Sequence, residues 1–99
     1  SWYEIFDYNR LLTVTLKTSN WSGDSAPYSQ TISVQNLRST DNPLAVKLLK
    51  DGATVTEQKA YNKAFSFLAA GTNIIADGEI TFKVYKKPVM DFTIGLKGV

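Results

Sequence analysis

The sequence predicts a mainly β or α+β domain, an antiparallel β-sandwich or barrel-like fold of about six strands with one helix. Three observations carry this prediction. Several runs alternate apolar and polar residues with the period of two that is typical of half-buried strands. One run instead repeats apolar residues every three to four positions, as an amphipathic helix does. Short polar turns separate the runs, and strands stand both before and after the helix, which favours antiparallel sheets with the helix closing one open side.

The first two predicted strands lie on either side of a polar loop. Residues 10–18 alternate leucine and valine with threonine and lysine, which predicts the first strand. A second alternating run, 28–37, is rich in β-branched residues and predicts the second strand. The loop between them, 21–28, reads WSGDSAPY and places an aromatic residue at each end of a small, turn-forming segment.

A third strand and the helix follow. Residues 38–43 collect turn-forming residues and end in a proline, so the chain turns there before a short alternating run predicts a strand over 44–50. Thr54 and Glu57 have the spacing of a capping box, in which each side chain accepts a hydrogen bond from a free N–H group at a helix start. The sequence therefore predicts a helix over 55–69.

The apolar residues of this helix form one stripe. Tyr61, Ala64, Phe65 and Leu68 follow the i, i+3, i+4, i+7 spacing of a single helix face. Gly71 then supplies a stop signal. We expect the stripe to face the core.

The last three strands are predicted from a hairpin and a final alternating run. Asp77-Gly78 stands between the run 73–76 and the alternating run 79–85, and this dipeptide is a strong hairpin signal. After a turn that includes Lys87-Pro88, residues 90–97 alternate again. Together these elements define a single β-rich domain over 10–99.

Composition excludes several classes of function. A chain of 99 residues suits one domain with one core. The net charge of +2 is spread along the chain, so we expect no nucleic-acid partner, and no apolar run approaches the roughly 20 residues of a membrane span. The chain has no histidine and no cysteine, which removes the Ser-His-Asp triad, the usual zinc sites and a cysteine nucleophile. We expect no metal and no cofactor.

Carboxylates are the remaining candidates for catalytic acids and bases. A glycosidase needs two of them facing a bound sugar. The candidates share a position in predicted turns or at strand ends, and they are Asp24, Asp41, Asp51, Asp77 and Glu79. Turns favour aspartate for its local backbone hydrogen bonds, so we interpret these residues as structural and expect no enzymatic activity.

The 21–28 loop admits two interpretations. In the first, Trp21 and Tyr28 stack on the apolar faces of a sugar while Asp24 and Ser25 bind its hydroxyls. In the second, which we favour, both rings fold inward and anchor the loop. The sequence leaves both open.

The first nine residues form an aromatic segment that follows no strand or helix period. Its large apolar residues are Trp2, Tyr3, Ile5, Phe6 and Tyr8. Exposed aromatic area marks interfaces, so the segment either packs on its own domain or contacts a neighbouring copy or an upstream domain. We expect a processed chain or a domain of a larger protein.

Several motifs occur in an order that resembles a known group. They are LTVTL at 12–16, WSG at 21–23, APYSQT at 26–31, TDNP at 40–43, DGEITF at 77–82, KP at 87–88 and FTIGLK at 92–97. The set, over about residues 11–99, resembles a C-terminal module of bacteriophage tail, baseplate and fibre-associated proteins of Gram-positive hosts. This chain departs from the group by the polar insert 23–25.

The resemblance implies a virion structural or adhesion-linked domain, located in the tail or baseplate and in the host cytoplasm during assembly. It brings no catalytic residues. We expect a non-enzymatic module that self-associates, with a trimer favoured, or that binds a neighbouring tail protein through the aromatic segment. The alternative is a receptor-binding module for host cell-wall glycan that uses Trp21, Asp24 and Tyr28.

Overall fold

The computed structural model describes residues 11–49 and 51–98, which contain six strands and one α-helix. The elements, in chain order, are β1 (Leu11–Leu16), β2 (Tyr28–Ser33), β3 (Leu44–Lys47), α1 (Val55–Ala69), β4 (Thr72–Ala76), β5 (Glu79–Val84) and β6 (Phe92–Lys97). A single turn of 3-10 helix, Thr18–Asn20, follows β1.

The strands form two antiparallel three-stranded sheets. The first sheet has the order β1-β6-β3 and the second has the order β2-β5-β4. A pair of directly opposed threonines supports the register of each sheet: Thr15 and Thr93 are joined by a 2.8 Å hydrogen bond, and Thr31 and Thr81 by one of 2.7 Å. This architecture confirms the predicted mainly β, sandwich-like fold with one helix.

One core is shared by both sheets and the helix. Apolar side chains alternate inward along the central strands, as the period of two requires. The buried apolar residues are Val14, Leu16, Trp21, Val34, Leu37, Tyr61, Ala64, Leu68, Ile80, Phe82, Val84, Phe92, Ile94 and Leu96.

Local sequence signals explain the helix bounds. Thr54 Oγ1 accepts a hydrogen bond from the N–H of Glu57, and the Glu57 carboxylate accepts one from the N–H of Thr54, each 3.1 Å long. This capping box satisfies two N–H groups that a helix start leaves unpaired. The helix covers the predicted residues, and Tyr61, Ala64 and Leu68 of the predicted stripe are buried.

Tyr61 joins the helix to the first sheet. Its hydroxyl accepts a hydrogen bond from the N–H of Leu48 and donates one to the carbonyl of Thr93, both 2.7 Å long. Lys47 pairs with Ile94, so Leu48 and Thr93 stand at the next position of the β3–β6 ladder. The tyrosine hydroxyl therefore bridges the two strands where their direct pairing ends.

Gly71 lets the helix end close against the second sheet. A Cβ atom at this position would lie 1.9 Å from the carbonyl oxygen of Lys83 in β5. The absence of a side chain allows the chain to leave α1 and enter β4 at once, with Thr72 paired to Lys83.

Most strands are shorter than the sequence predicts. The second strand, predicted over 28–37, ends at Ser33 because Asn36 adopts a φ of 69° and the following segment packs on the β4–β5 turn. There the N–H of Val34 donates a hydrogen bond to the carbonyl of Gly78, and the N–H of Gly78 donates one to the carbonyl of Leu37.

The other differences lie at strand ends. The run predicted over 44–50 is a strand only over Leu44–Lys47, where β6 supplies pairing partners. The last strand, predicted over 90–97, begins at Phe92. The 3-10 turn ends the first strand at Leu16.

Candidate functional site

Trp21 belongs to the core and not to an exposed sugar platform. Its side chain is 6% exposed and lies in the cluster of buried apolar residues. The buried indole N–H has no hydrogen-bond acceptor in the part of the chain that the structure describes, so packing holds the ring. This burial agrees with the favoured interpretation, in which the Trp21 ring anchors the loop, and it disfavours the alternative of stacking on a sugar, which requires an open ring face.

The rest of the 21–28 loop is closed at its base. Ser22 and Ser29 exchange two backbone hydrogen bonds of 2.8 and 3.0 Å, and their hydroxyls lie 3.1 Å apart. Between them Gly23 has a φ of 119° and the Ala26–Pro27 peptide bond is cis. The side chain of Asp24 is exposed at this loop, while the Trp21 ring is buried, so the two do not form one site.

Tyr28 is covered by a lysine. Its ring is half-buried against the core, and the ammonium group of Lys87 lies 4.7 Å from the ring centroid. This distance is within the range of a cation–π interaction. The half-buried ring therefore already has a cationic partner from the loop between β5 and β6.

Next to Tyr28, helix α1 and the loop between β5 and β6 enclose an apolar cleft of about 180 Å³. The helix contributes Ala60, Lys63, Ala64 and Phe67. The loop contributes Lys86, Lys87, Val89 and Met90. We call this feature the lysine-rimmed cleft.

Helix spacing and a buried proline explain how the cleft forms. The four helix residues have the i, i+3, i+4, i+7 spacing that places side chains on one helix face, and two of them are alanines, which leave room for the loop. Pro88 is buried and anchors the loop, while its neighbour Val89 is 87% exposed beside the cleft.

The rim of the cleft is positively charged. Lys63, Lys86 and Lys87 are exposed, and Lys86 places its ammonium group 5.6 Å from the centroid of the Phe67 ring. Across residues 11–49 and 51–98, no carboxylate forms an ion pair with any of these three lysines. Lysine stems cover apolar surface while their charges stay in water. The cleft thus suits an apolar group that carries carboxylates beside it.

The predicted structural role of the carboxylates is visible at two turns. Asp41 accepts a 2.9 Å hydrogen bond from the N–H of Arg38, and Asp77 accepts one of 2.8 Å from the N–H of Ser39. Within the described residues, no cluster of three acidic side chains is arranged to hold a metal ion. No helix among them has the length and apolar character needed to cross a membrane.

The cleft has no prediction from the sequence. Lys86 and Lys87 are adjacent in the sequence, and Lys63 precedes Ala64 of the predicted apolar stripe. The signal in the sequence is a second set of residues with the i, i+3, i+4, i+7 spacing of a helix face. In this set Ala60, Ala64 and Phe67 form an apolar edge beside Lys63. The pairing of this edge with the 85–91 loop is long-range and has no local signature.

The predicted interface residues Trp2, Tyr3, Ile5, Phe6 and Tyr8 lie outside the described residues. Their role in assembly stays a prediction. Comparison of the chain with family models, with curated proteins and with solved structures finds no match.

Proposed function

We propose that this chain is a non-enzymatic interaction module that assembles with copies of itself or with a neighbouring protein, as a part of a phage tail, baseplate or fibre. The lysine-rimmed cleft is the observation that carries the interaction role, and the resemblance of the motif set to phage modules is what supports the tail setting. It combines an apolar floor with three cations that have no carboxylate partner within the described part of the chain. Such a surface is suited to an acidic protein segment with an apolar anchor.

Val89 adds to this argument. It is 87% exposed at the edge of the cleft, so a large apolar side chain stands in water beside an apolar depression. An isolated exposed valine is ordinary, but apolar area continuous with a charged rim is typical of binding surfaces. Covering Val89 and the cleft together would remove this area from water.

The proposal is tested by the mass of the chain in solution. Light scattering and sedimentation over a concentration series are expected to show a reversible oligomer, with a trimer favoured. A monomer at every concentration would contradict self-association and would leave binding to a purified neighbouring protein as the assembly mode to measure.

A matched pair of substitutions connects assembly to the cleft. Val89→Asp places a charge at the edge of the cleft and is expected to weaken association, while the fold is kept because the side chain is exposed. Val55→Asp is the control, since Val55 is 64% exposed at the first position of α1, where an acidic residue suits the helix dipole. If the two variants associate with the same dissociation constant, the cleft does not take part in assembly and no longer supports the proposal.

A further inference from the structure

We propose that the lysine-rimmed cleft receives the aromatic segment, residues 1–9, of a neighbouring copy of this chain. The inference deepens the proposed function and rests on it, because it names the two surfaces that meet when copies associate. One surface is the cleft, and the other is a segment of the same chain that lies outside the described residues.

The size of the cleft favours a side chain as its occupant. Sites for small organic ligands commonly enclose roughly 300–1,000 Å³. The cleft encloses about 180 Å³, which is below that range. A single large apolar side chain is a better match, and the aromatic segment supplies several, which are Trp2, Tyr3, Ile5, Phe6 and Tyr8.

Charge complementarity selects this segment within the chain. Glu4 and Asp7 are placed between its aromatic residues, and its first basic neighbour is Arg10, just after the segment. The cleft presents the opposite pattern, an apolar floor with Lys63, Lys86 and Lys87 around it. The segment thus offers apolar side chains flanked by carboxylates, and the cleft offers apolar walls flanked by ammonium groups.

The proposed self-association, and not the reach of the segment, assigns the contact to a neighbouring copy. The aromatic segment joins the domain through Arg10, which precedes Leu11 at one end of β1. Leu16, at the other end of β1, pairs with Phe92, which follows the cleft residue Met90 by two positions. Five residue steps along a strand cover roughly 17 Å. Nine extended residues span up to about 30 Å, so the segment could reach a cleft on either chain, and mixing two variants, as described below, distinguishes the two cases.

The first test reverses the charge of the rim in the full chain. The triple variant Lys63→Glu, Lys86→Glu, Lys87→Glu is expected to raise the dissociation constant of the oligomer at least about tenfold, because attraction becomes repulsion. The control reverses three other exposed lysines by Lys17→Glu, Lys47→Glu and Lys97→Glu, which gives the same change in net charge. Circular dichroism checks that each variant is folded.

The second test restores the contact between two different chains. Glu4→Lys combined with Asp7→Lys gives a segment-reversed variant, which is expected to associate as weakly as the rim-reversed variant. Mixing the two variants places a basic segment opposite an acidic rim, so a hetero-oligomer is expected in the mixture. This rescue requires that the segment of one copy meets the cleft of another.

The outcomes separate the inference from the proposed function. If the wild-type chain associates but the rim reversal has no larger effect than the control reversal, the inference is wrong and assembly uses another surface. A mixture that stays unassociated while the wild type associates also overturns the inference. A wild-type chain that is monomeric at every concentration overturns self-association itself and the inference with it.

Discussion

The side-chain amide of Gln30 and the backbone of Lys17 are joined by two hydrogen bonds, each 3.0 Å long. The N–H of Lys17 donates to Gln30 Oε1, and Gln30 Nε2 donates to the carbonyl of Lys17. Gln30 is 3% exposed in β2, and Lys17 directly follows β1. The side-chain amide of Gln30, which belongs to the second sheet, thus bonds to the backbone at the end of the first sheet. The two hydrogen bonds are arranged as those between two peptide groups in a β-ladder.

Gln30→Met is expected to lower the free energy of unfolding by about 1–3 kcal/mol, because both backbone groups of Lys17 lose their partner. Methionine has a similar length, so little packing is lost. Denaturant unfolding measures the change. Gln35→Met, at an exposed position just after β2, is the control and is expected to change stability little. Equal values for the two variants would show that the Gln30 amide does not stabilise the fold.

Tyr61→Phe is expected to cost about 1–3 kcal/mol of unfolding free energy, since it removes only the hydroxyl that bridges Leu48 and Thr93. The ring contacts of Tyr61 with Phe65 and Phe92 are kept. Tyr85→Phe is the matched control, because this tyrosine is 62% exposed. If both variants unfold at the same denaturant concentration, the bridge contributes nothing measurable.

Trp21→Ala is expected to cost about 3–5 kcal/mol, the usual effect of removing a large aromatic side chain from a core. A loss of this size can unfold a domain with a typical total stability of about 5–15 kcal/mol. Thermal melting followed by circular dichroism measures it, with Asp24→Asn as an exposed control in the same loop. A Trp21→Ala variant that keeps its stability but loses adhesion to host cell walls would favour the carbohydrate hypothesis instead.

Gly71→Ala is expected to destabilise the domain more than Gly52→Ala. The new methyl group at position 71 would meet the backbone oxygen of Lys83, and overpacking of this kind costs about 1–3 kcal/mol or more. Gly52 has a φ of +80° but nothing within 4 Å of an added Cβ, so its cost is limited to about 1–2 kcal/mol of backbone strain. Denaturant unfolding of both variants gives the order, and the reverse order would contradict the close contact.

The helix was predictable because its signals are local. The capping box of Thr54 and Glu57 fixes the start, and the apolar stripe that contains Tyr61 and Leu68 fixes the buried face. Gly71 marks the end of the same run. All of these interactions act within a few residues, so the sequence alone determined both bounds.

The strand ends and the pairing of strands were less predictable. Val34 continues the alternation of β2 and is buried as the pattern requires, but it bonds to Gly78 in a turn 44 positions later and not to a neighbouring strand. Nothing close to Val34 in the sequence encodes that contact. The partition of six strands into two sheets has the same long-range origin.

The candidate site shows the same division. The choice between an anchoring and an exposed Trp21 depends on which elements pack around the ring, so the sequence left both interpretations open although we favoured anchoring. The lysine-rimmed cleft combines Lys63 from the helix with Lys86 and Lys87 from a distant loop. The charges of these lysines and the spacing of the helix residues were visible in the sequence. The contact between the helix and the loop was not, because it joins distant parts of the chain.

The position of β6 between β1 and β3 also sets the order in which the domain can fold during synthesis. Leu11 pairs with Lys97, so β1 and β3 have no central strand to pair with until nearly the whole domain has left the ribosome. The helix and the β4–β5 hairpin need only local contacts and can form earlier. Completion of the first sheet therefore waits for β6, and until β6 is available the pairing edges of β1 and β3 stay exposed to other nascent chains.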